Sequence, residues 1–222
     1  MTLFSGYTYQ LLAGAVVSIS VTFFALIFGT ALGLGLGAAK IYGSRPFRYI
    51  AEAYTAIVRG VPDLIVIYLI YFGSTVALTK LTGSYVDING FTAGVFALGL
   101  IFGGYAGDIF RGGIQQVARG QKEAADALGL SKRVAFFLVI LPQAWRLALP
   151  GFSNLAIILL KQTSLISVIG LEELLRASAV VSGSTREPFY VYSITALIYL
   201  AMTTVATALL RWAQRRANRG FA

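Results

Sequence analysis

The chain has 222 residues, 57% of them hydrophobic and only 12% charged, with a formal charge of +9 and neither cysteine nor histidine. So little charge cannot cover a water-facing surface of this size, which makes an integral membrane protein the default. The missing residue types remove disulfides, thiolate and imidazole metal sites and His-based catalytic triads, while Lys and Arg scattered between apolar stretches argue against a nucleic-acid surface.

A bilayer core needs roughly 20 apolar helical residues, and five stretches reach about that length. The first, about 11–39, has no charged stretch before it, because the first basic residue is Lys40, and no small-residue cleavage pattern. It is expected to remain as a span, not to leave as a signal peptide. Gly29, Gly33 and Gly37 share one of its faces and allow a close helix approach, either within the chain or to a second subunit. Lys40, Arg45, Arg48 and Arg59 then form a basic loop around Gly43-Ser44-Arg45-Pro46, leading into a second span at about 61–78, where Pro62 suits a first turn or a kink. A polar connection, 80–89, precedes the third span, 91–110, in which Asp108 and Arg111 stand three apart and could pair.

Residues 111–146 are mostly polar and basic and read as two short helices meeting near Gly129-Leu130-Ser131. The fourth span, 147–170, is interrupted by Pro150, Asn154 and Lys161; a connection carrying Glu172, Glu173, Arg176, Arg186 and Glu187 leads to the fifth, 189–210, and to a basic tail ending near Arg219. The segments 40–59, 111–146 and 211–222 hold all the Lys and Arg except Lys80, Lys161, Arg176 and Arg186. By the positive-inside rule these segments are cytoplasmic, the N-terminus is external and the C-terminus internal.

Segment 111–146 contains Glu123-Ala124-Ala125, Gly129 and Leu141-Pro142, with Val139 two residues before Leu141. Small side chains at Ala124, Ala125 and Ala127 let a short helix seat deeply in a partner's groove, and Gly129 permits a sharp reversal. The spacing resembles the EAA loop of ABC-importer permeases. Arg59-Gly-Val-Pro-Asp63, Phe110-Arg-Gly-Gly-Ile114, Lys161-Gln-Thr-Ser-Leu165 and Gly170-Leu-Glu172 extend the resemblance over about residues 10–212, nearest to the permeases of histidine, lysine/arginine/ornithine and opine systems.

The resemblance implies an all-α integral membrane fold like that of type I ABC importers, with one permease domain, 1–222, five transmembrane helices and a cytoplasmic coupling loop at 111–146. It implies residence in a bacterial inner membrane and transport of polar, basic amino acids or opines. The implied partners are a cytoplasmic ABC ATPase dimer, a second permease, an extracytoplasmic solute-binding protein and membrane lipid, with no nucleic acid. Glu123, Ala124, Ala125, Gly129, Leu141 and Pro142 would couple to the ATPase.

There is no Gly-x-x-x-x-Gly-Lys-Ser/Thr loop, so ATP and its magnesium belong to another chain, and this one is expected to bind no cofactor or metal and to catalyse nothing. A charge inside a span costs about 2.5–3.5 kcal/mol on insertion scales, so Lys161 either lines a path with Thr163 and Ser164 or snorkels to water. Gln162 stands where many relatives carry an acid beside this lysine. Tyr68, Tyr71, Phe72 and Tyr105 offer aromatic faces to a cationic solute, or pack as interface residues. A self-sufficient secondary transporter or channel is the alternative; it would show paired broken helices and intramembrane acids, whereas the nine carboxylates here are mostly isolated. That isolation also argues against a membrane enzyme.

Overall fold

A computed structural model describes residues 2–218, with side chains from Tyr7 onward; Arg219 of the basic tail lies outside the described residues. Among the described residues nine α-helices follow one another: α1 (Thr2–Tyr42), α2 (Arg45–Gly60), α3 (Asp63–Thr82), α4 (Gly90–Gln115), α5 (Arg119–Ala127), α6 (Lys132–Ala135), α7 (Leu141–Gln162), α8 (Leu174–Thr185) and α9 (Pro188–Ala217). A π-helical turn, Phe136–Ile140, joins α6 to α7, and a 3-10 segment, Thr163–Ile169, extends α7. Five helical stretches among the described residues are long and apolar enough to cross a membrane: 7–42, 63–82, 90–115, 132–169 and 188–217.

Helix α4 is the hub. Its Ala97, Leu98, Ile101, Phe102 and Ala106 are almost fully buried, among α1, α2, α3 and α7. The glycine row of α1 packs inside the chain, against α4. A Cβ on Gly33 would lie 2.7 Å from the Ala106 Cβ, while on α4 a Cβ on Gly103 would lie 2.7 Å from Leu32. The two rows interlock, each supplying side chains to the other's gaps, and this close approach replaces the solvent-driven burial that lipid cannot provide. Gly33→Val should therefore lower the thermal midpoint of the purified transporter by the equivalent of about 1–3 kcal/mol. Gly35→Val, where nothing lies within 4 Å of the added carbon, should leave the midpoint unchanged in the same thermal-shift assay.

Three stretches differ from the reading of the sequence. The basic loop after Lys40 is helical: α2 starts behind Ser44 with Pro46 in its first turn and buries Ala51, Thr55 and Val58 at helical spacing. The connection before the last span contains α8, whose start is capped by Glu173. The fourth crossing begins upstream of 147, because the helix runs from Lys132 through the π turn and passes Pro150 unbroken. Pro142 explains that turn: it has no N–H for a carbonyl one turn back, and the wider turn instead lets Leu141 N–H donate to Phe136 C=O.

Glu173 ties the outlying helices to the body. Its fully buried carboxylate accepts from the N–H groups of Leu175 (2.9 Å) and Arg176 (2.8 Å), from Tyr199 Oη (3.1 Å) and from Ser18 Oγ (3.4 Å), joining α1, α8 and α9. Burial holds its carboxyl above the usual range against the pull of these donors.

Candidate coupling element and translocation face

Segment 111–146 folds into a projecting knob. Along α5 only Ala125 is buried; Glu123, Ala124 and Ala127 face outward, and Leu128 just beyond the helix is 78% exposed. The helix ends where Gly129 adopts φ +69°, with Leu130 N–H donating to Ala125 C=O (3.1 Å) and Gly129 N–H to Asp126 C=O (3.0 Å). This left-handed cap reverses the chain in two residues. Ser131 Oγ then accepts from Val134 N–H (3.4 Å) and starts α6.

Gln143, in the first turn of α7, fixes the knob to the body: its Nε2 donates to Gln121 Oε1 of α5 (3.0 Å) and to Val139 C=O (2.9 Å). Leu141 and Pro142 stand at that junction, half-buried and exposed respectively. The second of the two short helices expected in this segment is the base of the fourth crossing, so a push on α5 reaches a span directly. The Tyr42 and Phe136 rings meet edge to face with centroids 5.5 Å apart, which also links the end of α1 to the π turn.

Between α4 and α7 lies a cleft of about 550 Å³ lined by Tyr105, Asp108, Gln116, Asn154 and Arg59 among apolar groups. Asp108 closes one end. Its Oδ1 lies 2.5 Å from Lys40 Nζ and its Oδ2 2.8 Å from Arg59, while Lys40 also donates to Thr55 Oγ1 (2.6 Å). The expected Asp108–Arg111 pair does not form. Lys40 and Arg59 reach Asp108 from neighbouring helices, and Arg111 instead approaches Glu52 at 4.0 Å.

The path residues read from the sequence fall in different places. Tyr105 lines the α4–α7 cleft; Tyr68 and Tyr71 cluster with Phe72 on α3, ring centroids 5.7 and 5.0 Å apart; and Lys161 is exposed in a separate groove against Thr203, Thr204, Thr207 and Arg211 of α9. Thr163 is completely buried and donates to Leu160 C=O (2.8 Å), so it lines no path, whereas Ser164 is half-buried and donates to Lys161 C=O (2.8 Å). Reading the sequence missed the contact between Gln162 Nε2 and Asp63 Oδ2 (2.6 Å). It joins two breaks, the Val61-Pro62 gap between α2 and α3 and the α-to-3-10 change at Thr163. A carboxylate directly after Pro62 in an apolar stretch was the available signal.

A profile for "binding-protein-dependent transport system inner membrane component" matches residues 29–219. The chain is 38% identical to the arginine ABC transporter permease protein ArtQ of Haemophilus influenzae, over 98% of this chain and 97% of that one. It is 37% identical to the octopine transport system permease protein OccQ of Agrobacterium tumefaciens, over 97% and 93%. A chain from the crystal structure of an amino acid ABC transporter with histidines superposes with a TM-score of 0.85 at 35% identity, covering 97% of each. With five crossings, a projecting Glu-Ala-Ala helix and these likenesses, the chain belongs to the binding-protein-dependent transport system inner membrane components, the multi-pass permease subunits of ABC importers.

Proposed function

We propose that this permease carries basic amino acids or opines inward, delivered by an external solute-binding protein and driven by a cytoplasmic ATPase dimer. The substrates named for its relatives support the choice of solute. The observation that carries the coupling half is α5, a helix exposed on all but its Ala125 face and tied to the fourth crossing through Gln143. Glu123, Ala124, Ala125 and Gly129 form the docking knob, and Leu141 and Pro142 its hinge to the membrane. ATP and magnesium stay with the ATPase; this chain binds no cofactor and performs no chemistry.

The positive-inside distribution supports an external N-terminus and a cytoplasmic 111–146 segment and C-terminus. Residues 1–222 act as one permease domain that pairs with a second permease, identical or homologous, across the exposed faces of its spans. The polar cleft at Tyr105 and Asn154 is one stretch of path this chain contributes; Lys161 and Ser164 at the end of α7 and Tyr68 and Tyr71 on α3 are separate path positions outside that cleft.

Reconstituted transporter should hydrolyse ATP several-fold faster with arginine-loaded binding protein than with empty protein, and should accumulate labelled arginine only when ATP is supplied on the α5 side. Equal hydrolysis with loaded and empty protein would remove the solute assignment. Uptake driven by an ion gradient without ATP would remove the ATPase partnership.

A further inference from the structure

Helix α2 is apolar over a wider arc than its neighbours cover. Ala51, Thr55 and Val58 are buried against α1 and α4. Beside that face Phe47, Ile50 and Ile57, at i, i+3 and i+10, are 64%, 66% and 64% exposed, with Tyr54 between them. Arg45, Arg48, Glu52 and Arg59 occupy the opposite side. Arg59 is held by Asp108 and Glu52 approaches Arg111, but neither Arg45 nor Arg48 has a partner among the described residues.

The helix packs along α4, with Tyr54 Oη donating to Leu100 C=O (3.0 Å) and Val58 seated against Gly104. Its polar side reaches the last turns of α4, where Arg59 meets Asp108, Glu52 approaches Arg111 and Thr55 is linked to Asp108 through Lys40. A helix with an uncovered apolar shoulder and, among the described residues, unpaired guanidinium groups on the opposite side has the layout of an element seated in the membrane boundary.

We propose that α2 docks on anionic phospholipid, its Phe47–Ile50–Ile57 shoulder at the acyl boundary and Arg45 and Arg48 on headgroup phosphates. Charge complementarity selects the occupant: the two cations opposite the shoulder have no partner among the described residues, and the nearest acid on α2, Glu52, faces Arg111. Because the turn between α1 and α2 follows Tyr42, whose ring meets Phe136, lipid engagement bears on the base of the coupling knob. The inference rests on membership in a membrane-transporter family and is independent of the solute and of the direction of transport.

The absence of cysteine allows single spin labels in this chain, at Ile50→Cys, Ile57→Cys and Tyr49→Cys, with the assembled transporter in nanodiscs of phosphatidylcholine with or without phosphatidylglycerol. Labels at 50 and 57 should collide preferentially with oxygen, and the label at 49 with a water-soluble nickel chelate. Nickel preference at 50 and 57 would show a water-facing helix, and protection from both reagents would show a protein partner there; either result overturns the proposal. The Arg45→Gln/Arg48→Gln variant should lose its preference for co-purifying phosphatidylglycerol over phosphatidylcholine, by about fivefold per arginine. An unchanged preference would overturn the headgroup contact.

Discussion

Gly129→Val should cut solute uptake by the assembled transporter at least tenfold while leaving the chain inserted at its normal level. The residue sits at φ +69°, and no atom lies within 4 Å of where a Cβ would be. Space is therefore available, and the obstacle is the backbone conformation, which costs a β-branched residue about 1–2 kcal/mol or more. Relaxing φ breaks the Leu130–Ala125 and Gly129–Asp126 hydrogen bonds that close α5 and re-aims its exposed face by much more than a docking cleft tolerates. Gly129→Asn, which accepts the left-handed region, should retain most uptake, and Gly129→Ala should fall between the two. That order distinguishes a conformational role from a demand for a small side chain. Glu123→Lys should also uncouple, through reversed charge on an outward face, with ATP hydrolysis by the partner no longer matched to uptake. Normal uptake in both Gly129→Val and Glu123→Lys, measured in vesicles with protein levels checked by immunoblot, would remove the coupling assignment.

The crossings and the knob were legible because each is written locally. An apolar run of sufficient length specifies a span, and Glu123-Ala-Ala with Gly129 four residues after Ala125 specifies a helix and its reversal. What stayed hidden depended on distant partners. The glycines at 29, 33 and 37 pointed to close packing, but only Gly99, Gly103 and Gly107 on a helix some 70 residues later decide that the packing is internal. Helix α2 was masked by Arg45, Arg48, Glu52 and Arg59, which read as a charged loop although Phe47, Ile50, Ala51, Tyr54, Ile57 and Val58 recur at helical spacing between Pro46 and Pro62. Glu173 read only as one charge in a connection, because nothing near it in sequence announces Ser18 and Tyr199 as partners.

Asp108→Asn should destabilise the purified transporter by about 3 kcal/mol, measured as a lowered denaturation midpoint in detergent. The figure is the lower end of the range for removing one partner of a buried ion pair. Lys40 is the reason for the cost: its side chain is 3% exposed and, among the described residues, its ammonium has only Asp108 and Thr55 as partners, so neutralising Asp108 leaves a charge stranded among helices. The cost stays at the low end because Asp108 itself is 30% exposed and Arg59, at 55%, can turn to water. Lys40→Met should be milder, since it leaves the Asp108–Arg59 pair intact. The double variant Lys40→Met/Asp108→Asn should then be more stable than Asp108→Asn alone, because the second change removes the stranded charge that the first created. Simple addition of the two single effects would mean that Lys40 and Asp108 are not coupled. In that case the bond between α1 and α4 at the closed end of the polar cleft would be a contact without energetic consequence, and the packing of Gly33 against Ala106 would be left to hold those helices in register.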